Sequence, residues 1–135
     1  MVFPDIDAFV TIASVNYEDL VNFYTKLFEQ KPATLIPNVY AEFHLISMRL
    51  GIFKPKKTNE SEFGVISGDS PLCLRAKSKI SLCLKVSNLE DAIAHLTTLG
   101  YPPPGKISIA DHGREIYAYD PDGNRLILYQ AKGSH

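Results

Sequence analysis

Two stretches of the chain alternate apolar and polar residues and then change period. Residues 9–28, FVTIASVNYEDLVNFYTKLF, open with a strand-like alternation and pass into apolar positions three and four apart. Residues 81–100, SLCLKVSNLEDAIAHLTTLG, do the same. Leu20, Phe23, Tyr24 and Leu27 mark one predicted helical face; Leu89, Ile93, Leu96 and Leu99 mark another. Asn16 and Asn88 stand at N-cap positions, where an amide oxygen accepts a first-turn N–H. Asp19 and Asp91 follow three residues later, where an acid favours the positive helix end. Gly100 and the prolines 102–104 stop the second helix.

The segments after the helices also match. Residues 40–53 read as two strands around a turn near 46–48, and residues 115–130 as two strands around Asp-Pro-Asp-Gly. Short edge strands are predicted near 31–35 and 106–109. The order strand, helix, strand, strand, strand therefore occurs twice. Residues 54–79 form a polar stretch longer than an ordinary connection. It reads as a linker, a lid, or an arm that lets the halves exchange between subunits. The predicted organisation is α+β: a single domain over 1–132, with module one at 5–54, a linker at 55–78 and module two at 79–130. Gly133-Ser134-His135 reads as a tag remnant.

Composition narrows the function classes. A chain of 135 residues suits one domain and can bury a core without disulfide staples. A formal net charge of −1 gives no pull toward a polyanion. Lys54, Lys56 and Lys57 are followed by Glu60 and Glu62, so they read as a solvated loop and not a nucleic-acid patch. No apolar run approaches the ~20 residues of a membrane span. The first residues carry acids where a signal peptide carries lysines, which predicts a cytoplasmic protein. Cys73 and Cys83 have no metal-type spacing and read as free thiols in a reducing compartment.

Asp120-Pro121-Asp122-Gly123-Asn124 begins like a calcium loop, but residues 127–130 lack the closing acid. It reads as a hairpin turn, with Pro121 presetting φ and Gly123 taking a positive φ.

NYEDLVNFYTKLF, SNLEDAIAHL and HGREIYAYDPDGNRLIL together resemble the vicinal oxygen chelate superfamily, which includes glyoxalase I, bleomycin resistance proteins and extradiol dioxygenases. The resemblance implies two βαβββ modules whose mixed sheets curl into a cup with the site inside. It also implies a homodimer. In metal-using relatives the ligands project from the first and last strand of each module, which here puts them at Phe9, Gly51, Ser81 and Ile127. None of these suits a divalent cation: three have no donor atom, and a serine hydroxyl is a poor ligand beside imidazole or carboxylate. The expectation is no metal and no cofactor.

Parity along the strands then fills the cup. With Phe9 inward, Thr11 is inward. With Ser81 inward, Cys83 and Lys85 follow. Arg49, Phe53, Arg125 and Tyr129 join Gly51 and Ile127. The resemblance favours Tyr117 and Tyr119 facing inward and places His112-Gly113-Arg114 at the cup mouth. The predicted pocket is thus Phe9, Arg49, Gly51, Phe53, Ser81, Cys83, His112, Arg114, Tyr117, Tyr119, Ile127 and Tyr129. Aromatic walls with a few cations suit a small aromatic or anionic organic molecule. The arginines also read as solvated strand ends, and the tyrosines as core or dimer packing. His44 and Glu42 read as surface strand residues, or, if both face the cup, as an acid–base pair or a displaced metal site. The leading expectation is a metal-free binding protein of the bleomycin-resistance type without turnover. The alternative is a lyase, isomerase or dioxygenase, working through an unrecognised divalent metal or metal-free acid–base catalysis.

Overall fold

The computed structural model describes residues 7–55, 80–111 and 113–133. Most of the predicted linker, together with Cys73, His112 and the last two residues, lies outside the described residues. The chain divides into two compact units, one on either side of the 56–79 stretch.

The first unit holds β1 (Val10–Ala13), α1 (Tyr17–Phe28), β2 (Thr34–Ile36), β3 (Tyr40–His44) and β4 (Arg49–Phe53). Its sheet has the order β1-β4-β3-β2, with β1 parallel to β4 and the other pairs antiparallel. The second unit repeats this with β5 (Ser81–Lys85), α2 (Leu89–Thr98), β6 (Ser108–Ala110), β7 (Gly113–Tyr119) and β8 (Arg125–Ala131). Its order is β5-β8-β7-β6, with the same pattern of directions. Two βαβββ modules are therefore present, and the predicted edge strands form within three residues of their expected places.

One face of each sheet is sealed by its own helix. In unit one, Ala41, Phe43, Leu50 and Ile52 are fully buried with Leu20 and Tyr24 of α1. Aromatic rings extend this core: Tyr24 stacks on Phe28 at 5.5 Å, and Phe28 meets Phe43 edge-on at 5.7 Å. In unit two, Leu126, Leu128, Ile116 and Ala118 are buried with Leu89 and Leu96 of α2. Of the predicted helix faces, Leu27, Ile93 and Leu99 are only half-buried.

The two helix starts differ. Asn88 is extended, and its Oδ1 accepts the Asp91 N–H at 2.9 Å, the predicted cap. Asn16 makes no such bond. Its backbone, at φ −99° and ψ 48°, is not extended, and its own N–H donates to the buried Ser14 Oγ at 2.9 Å. The α2 start has a second cap: Gln130 Oε1 on β8 accepts the Leu89 N–H at 2.8 Å.

Gln130 Oε1 also accepts from Arg114 Nη2 at 2.9 Å, and Arg114 forks onto both oxygens of Glu90 at 2.6 and 2.9 Å. Arg114 thus shares the helix-facing side of β7 with Ile116 and Ala118. This corrects its predicted place at a cup mouth. Two positions separate side chains on one face, so an even-numbered residue cannot join Tyr117 and Tyr119.

Asp120 closes the β7–β8 hairpin. Its buried carboxylate accepts from Asp122 N and Asn124 N at 2.9 Å through Oδ1, and from Asn124 Nδ2 at 2.8 Å through Oδ2. Gly123 sits at φ 83° and donates to the Asp120 carbonyl at 2.9 Å. Both carboxylate oxygens serve the turn.

Asp120→Ala strands three donors, so unfolding in urea should register a loss of about 2 kcal/mol. The fork from Arg114 holds the Glu90 carboxyl down to about 2, against 4.5 for a free glutamate. A depressed acid stabilises the fold above its unfolded pKa and ceases to do so as pH falls toward its folded one. The melting temperature of Glu90→Gln should therefore lie below wild type at pH 7, with the gap closing between about pH 4.5 and pH 2.

Candidate functional site

The helices leave one face of each sheet open, and parity decides what lies there. In sheet one the cross-strand pairs His44↔Arg49, Glu42↔Gly51 and Tyr40↔Phe53 put these six residues on the face away from α1. Thr11 pairs with Gly51, which puts Phe9 beside Arg49. The Arg49 guanidinium lies 4.6 Å from the Phe9 ring centroid and pairs with Asp7 at 2.6 Å.

A hydrogen-bonded row runs along β3. Tyr40 Oη donates to Glu42 Oε1 at 2.7 Å, and His44 Nε2 lies 2.6 Å from Glu42 Oε2. The two donors, Tyr40 first and His44 second, hold the Glu42 carboxyl below its ordinary range. An ionised carboxylate only accepts, so Nε2 carries the proton in this bond. Desolvation first, and the Glu42 bond and charge next, push the Tyr40 phenol up to about 12. Parity in the sequence leaves the direction of Glu42 and His44 open, and the register of β3 against β4 settles it and adds Tyr40 to the same face. Its signal was the spacing Tyr40, Glu42, His44, two residues apart on one strand.

Gly51 makes the row possible. A Cβ there would stand 2.5 Å from Tyr40 Oη and 2.9 Å from its Cε1. The phenol fills the space into which any other side chain at 51 would project.

In sheet two, Ser81↔Arg125, Cys83↔Ile127 and Lys85↔Tyr129 share the open face with Tyr119, Tyr117 and Glu115 of β7. Arg125 Nε donates to Ser81 Oγ at 2.6 Å, and its guanidinium carbon lies 5.3 Å from the Tyr117 ring centroid. Tyr117 is 44% exposed. Arg49 and Arg114 each pair with an acid, whereas no ion pair joins Arg125 to a described carboxylate. Desolvation first, and the Glu115 charge second, push the Cys83 thiol up, which keeps it protonated and a weak nucleophile. Beyond the strand ends, Tyr119 also borders a shallow hollow of about 290 Å³ walled by Tyr101, Pro102, Pro104 and Pro121.

The four positions aligned with a cation site do not fit one. Phe9 is committed to Arg49, and Gly51 is covered by a phenol. Ser81 Oγ is bound by a guanidinium, whose charge opposes a second cation. Ile127 has no donor atom. Among the described residues, no group of three or more His, Cys, Asp and Glu side chains is arranged to hold a metal ion.

Neither a family model nor a curated protein matches the sequence. Solved structures do match in shape. A glyoxalase/bleomycin resistance protein from Catenulispora acidiphila is 16% identical, with a TM-score of 0.62 over 94% of this chain and 99% of that one. A lactoylglutathione lyase from Agrobacterium tumefaciens is 15% identical, with a TM-score of 0.67 over 98% and 100%. A bleomycin-binding protein complexed with bleomycin is 18% identical, with a TM-score of 0.61 over 95% and 100%. With its repeated βαβββ order, the chain has the fold of these glyoxalase and bleomycin-resistance structures.

Proposed function

We propose that this protein binds a small organic molecule carrying an anionic group beside an aromatic or apolar part, on the open face of sheet two and without a metal. The observation that carries this reading is the state of Arg125. Ser81 fixes its Nε, Tyr117 supports its plane, and no described carboxylate occupies its outer N–H groups. Such an arginine is already oriented, so less freedom is lost when a ligand oxygen pair docks on the fork. Tyr117 and Tyr129 provide flanking ring surface, and Ile127 an apolar floor. The structural neighbour that holds bleomycin supports small-molecule binding in this fold.

The same reading takes the two units as one domain over 1–132 and the protein as a cytoplasmic homodimer. Exposed Val10, Leu35, Ile36 and Ile109 on outer strands offer apolar surface for self-association. Cys83 as a free thiol suits a reducing compartment.

Titration calorimetry with benzoate, 2-naphthoate and phenyl phosphate tests the anchor. A binding member of this set should lose at least about ten-fold in affinity with Arg125→Ala, since a charge-assisted bond contributes roughly 1.5–3 kcal/mol. Arg125→Lys should recover only part of it, because an ammonium lacks the fork. Undiminished binding by Arg125→Ala would remove Arg125 from the site.

A further inference from the structure

We propose that the open face of sheet one is a general-base site, in which His44 Nδ1 activates water against a small uncharged carboxylic ester. The assignment goes beyond the binding reading and uses no residue of sheet two. It starts from the His44–Glu42–Tyr40 row. Because Nε2–H is engaged by Glu42 Oε2 at 2.6 Å, the lone pair is left on Nδ1. The imidazole is 53% exposed, so Nδ1 can meet water and substrate. Glu42 fixes the tautomer and direction of the ring and steadies the imidazolium once it forms. Tyr40 holds the other carboxylate oxygen at 2.7 Å, which keeps Glu42 turned toward His44. Glu42 and Tyr40 are thus positioning residues; His44 is the one catalytic base.

Arg49 stands directly across the strand pair from His44. In the proposed step its guanidinium, held by Asp7 through Nη2, offers its remaining N–H donors to the carbonyl oxygen as that atom turns negative. Phe9, beneath Arg49, offers an apolar wall for the acyl group. Asp7 already pairs with this guanidinium and the Glu42 carboxylate lies on the same face, so the local charge disfavours an anionic substrate. A neutral ester suits the face.

The step balances without a co-reactant beyond water. The water oxygen bonds to the acyl carbon while His44 Nδ1 takes one of its protons. The bond from that carbon to the alcohol oxygen then breaks, and the imidazolium returns the proton to the departing oxygen. A carboxylic acid and an alcohol leave, and nothing is oxidised or reduced.

Hydrolysis of p-nitrophenyl acetate and p-nitrophenyl butyrate by the full chain, followed as nitrophenolate release, tests the assignment. Wild type should exceed imidazole at the same concentration, and His44→Ala should be at least ten-fold slower, within the roughly 10²–10⁴-fold range of general-base effects. Added imidazole should restore part of the His44→Ala rate. Glu42→Gln should lower kcat with little change in KM, while His95→Ala keeps the wild-type rate. The assignment is overturned if wild type is no faster than free imidazole, if His44→Ala retains the rate, or if its loss is not restored by imidazole. The circular dichroism spectrum of His44→Ala should match wild type, since this side chain is half exposed, so that a lost rate reports the base and not unfolding.

Discussion

Each sheet must bury one set of alternate side chains under its helix, and that constraint frees the other set for chemistry. Leu50 and Ile52 cannot leave the core of unit one without carrying Arg49, Gly51 and Phe53 along with them, because a strand's faces change places with any one-residue slip. Leu126 and Leu128 fix Arg125, Ile127 and Tyr129 in the same way. The hydrophobic seal therefore sets the register of the polar rows with no further cost. Where the row then gains hydrogen bonds, as in Tyr40–Glu42–His44, the backbone supplying them is already rigid.

Three arginines illustrate how position on that frame decides role. Arg114, on the sealed side, is absorbed into structure: Glu90 and Gln130 take its donors and tie β7 and β8 to the start of α2. Arg49, on an open face, is partly neutralised by Asp7 and rests on Phe9. Arg125, on the other open face, is oriented by a neutral hydroxyl and a ring. One residue type thus serves as a brace, a compensated cation and an oriented cation. The difference lies in the partners within reach, which composition does not reveal.

Much of the fold was legible because it is written in periodicity. The change from alternation to helical spacing at Asn16 and Asn88, and the two hairpins, follow from which side chains must avoid water. Asn88 caps as read; Asn16 does not, because its backbone at φ −99° and ψ 48° departs from the extended conformation of a cap residue, a pair of angles the sequence does not state. Arg114 departs from the place the family resemblance implies, because alternation along β7 sets it opposite Tyr117 and Tyr119. The Asp120 turn was readable from local chemistry alone. Tyr40 was not readable: its role depends on the register of β3 against β4, which brings its ring over the one residue of β4 that has no side chain.

That ring over Gly51 ties two positions of the open face together. A side chain introduced at 51 would meet the phenol, and the ring would have to swing aside to admit it. A ring that swings aside gives up its bond to Glu42, which then holds one donor fewer. Substitution at a residue with no side chain of its own is thereby transmitted through Tyr40 to the carboxylate two places along its strand.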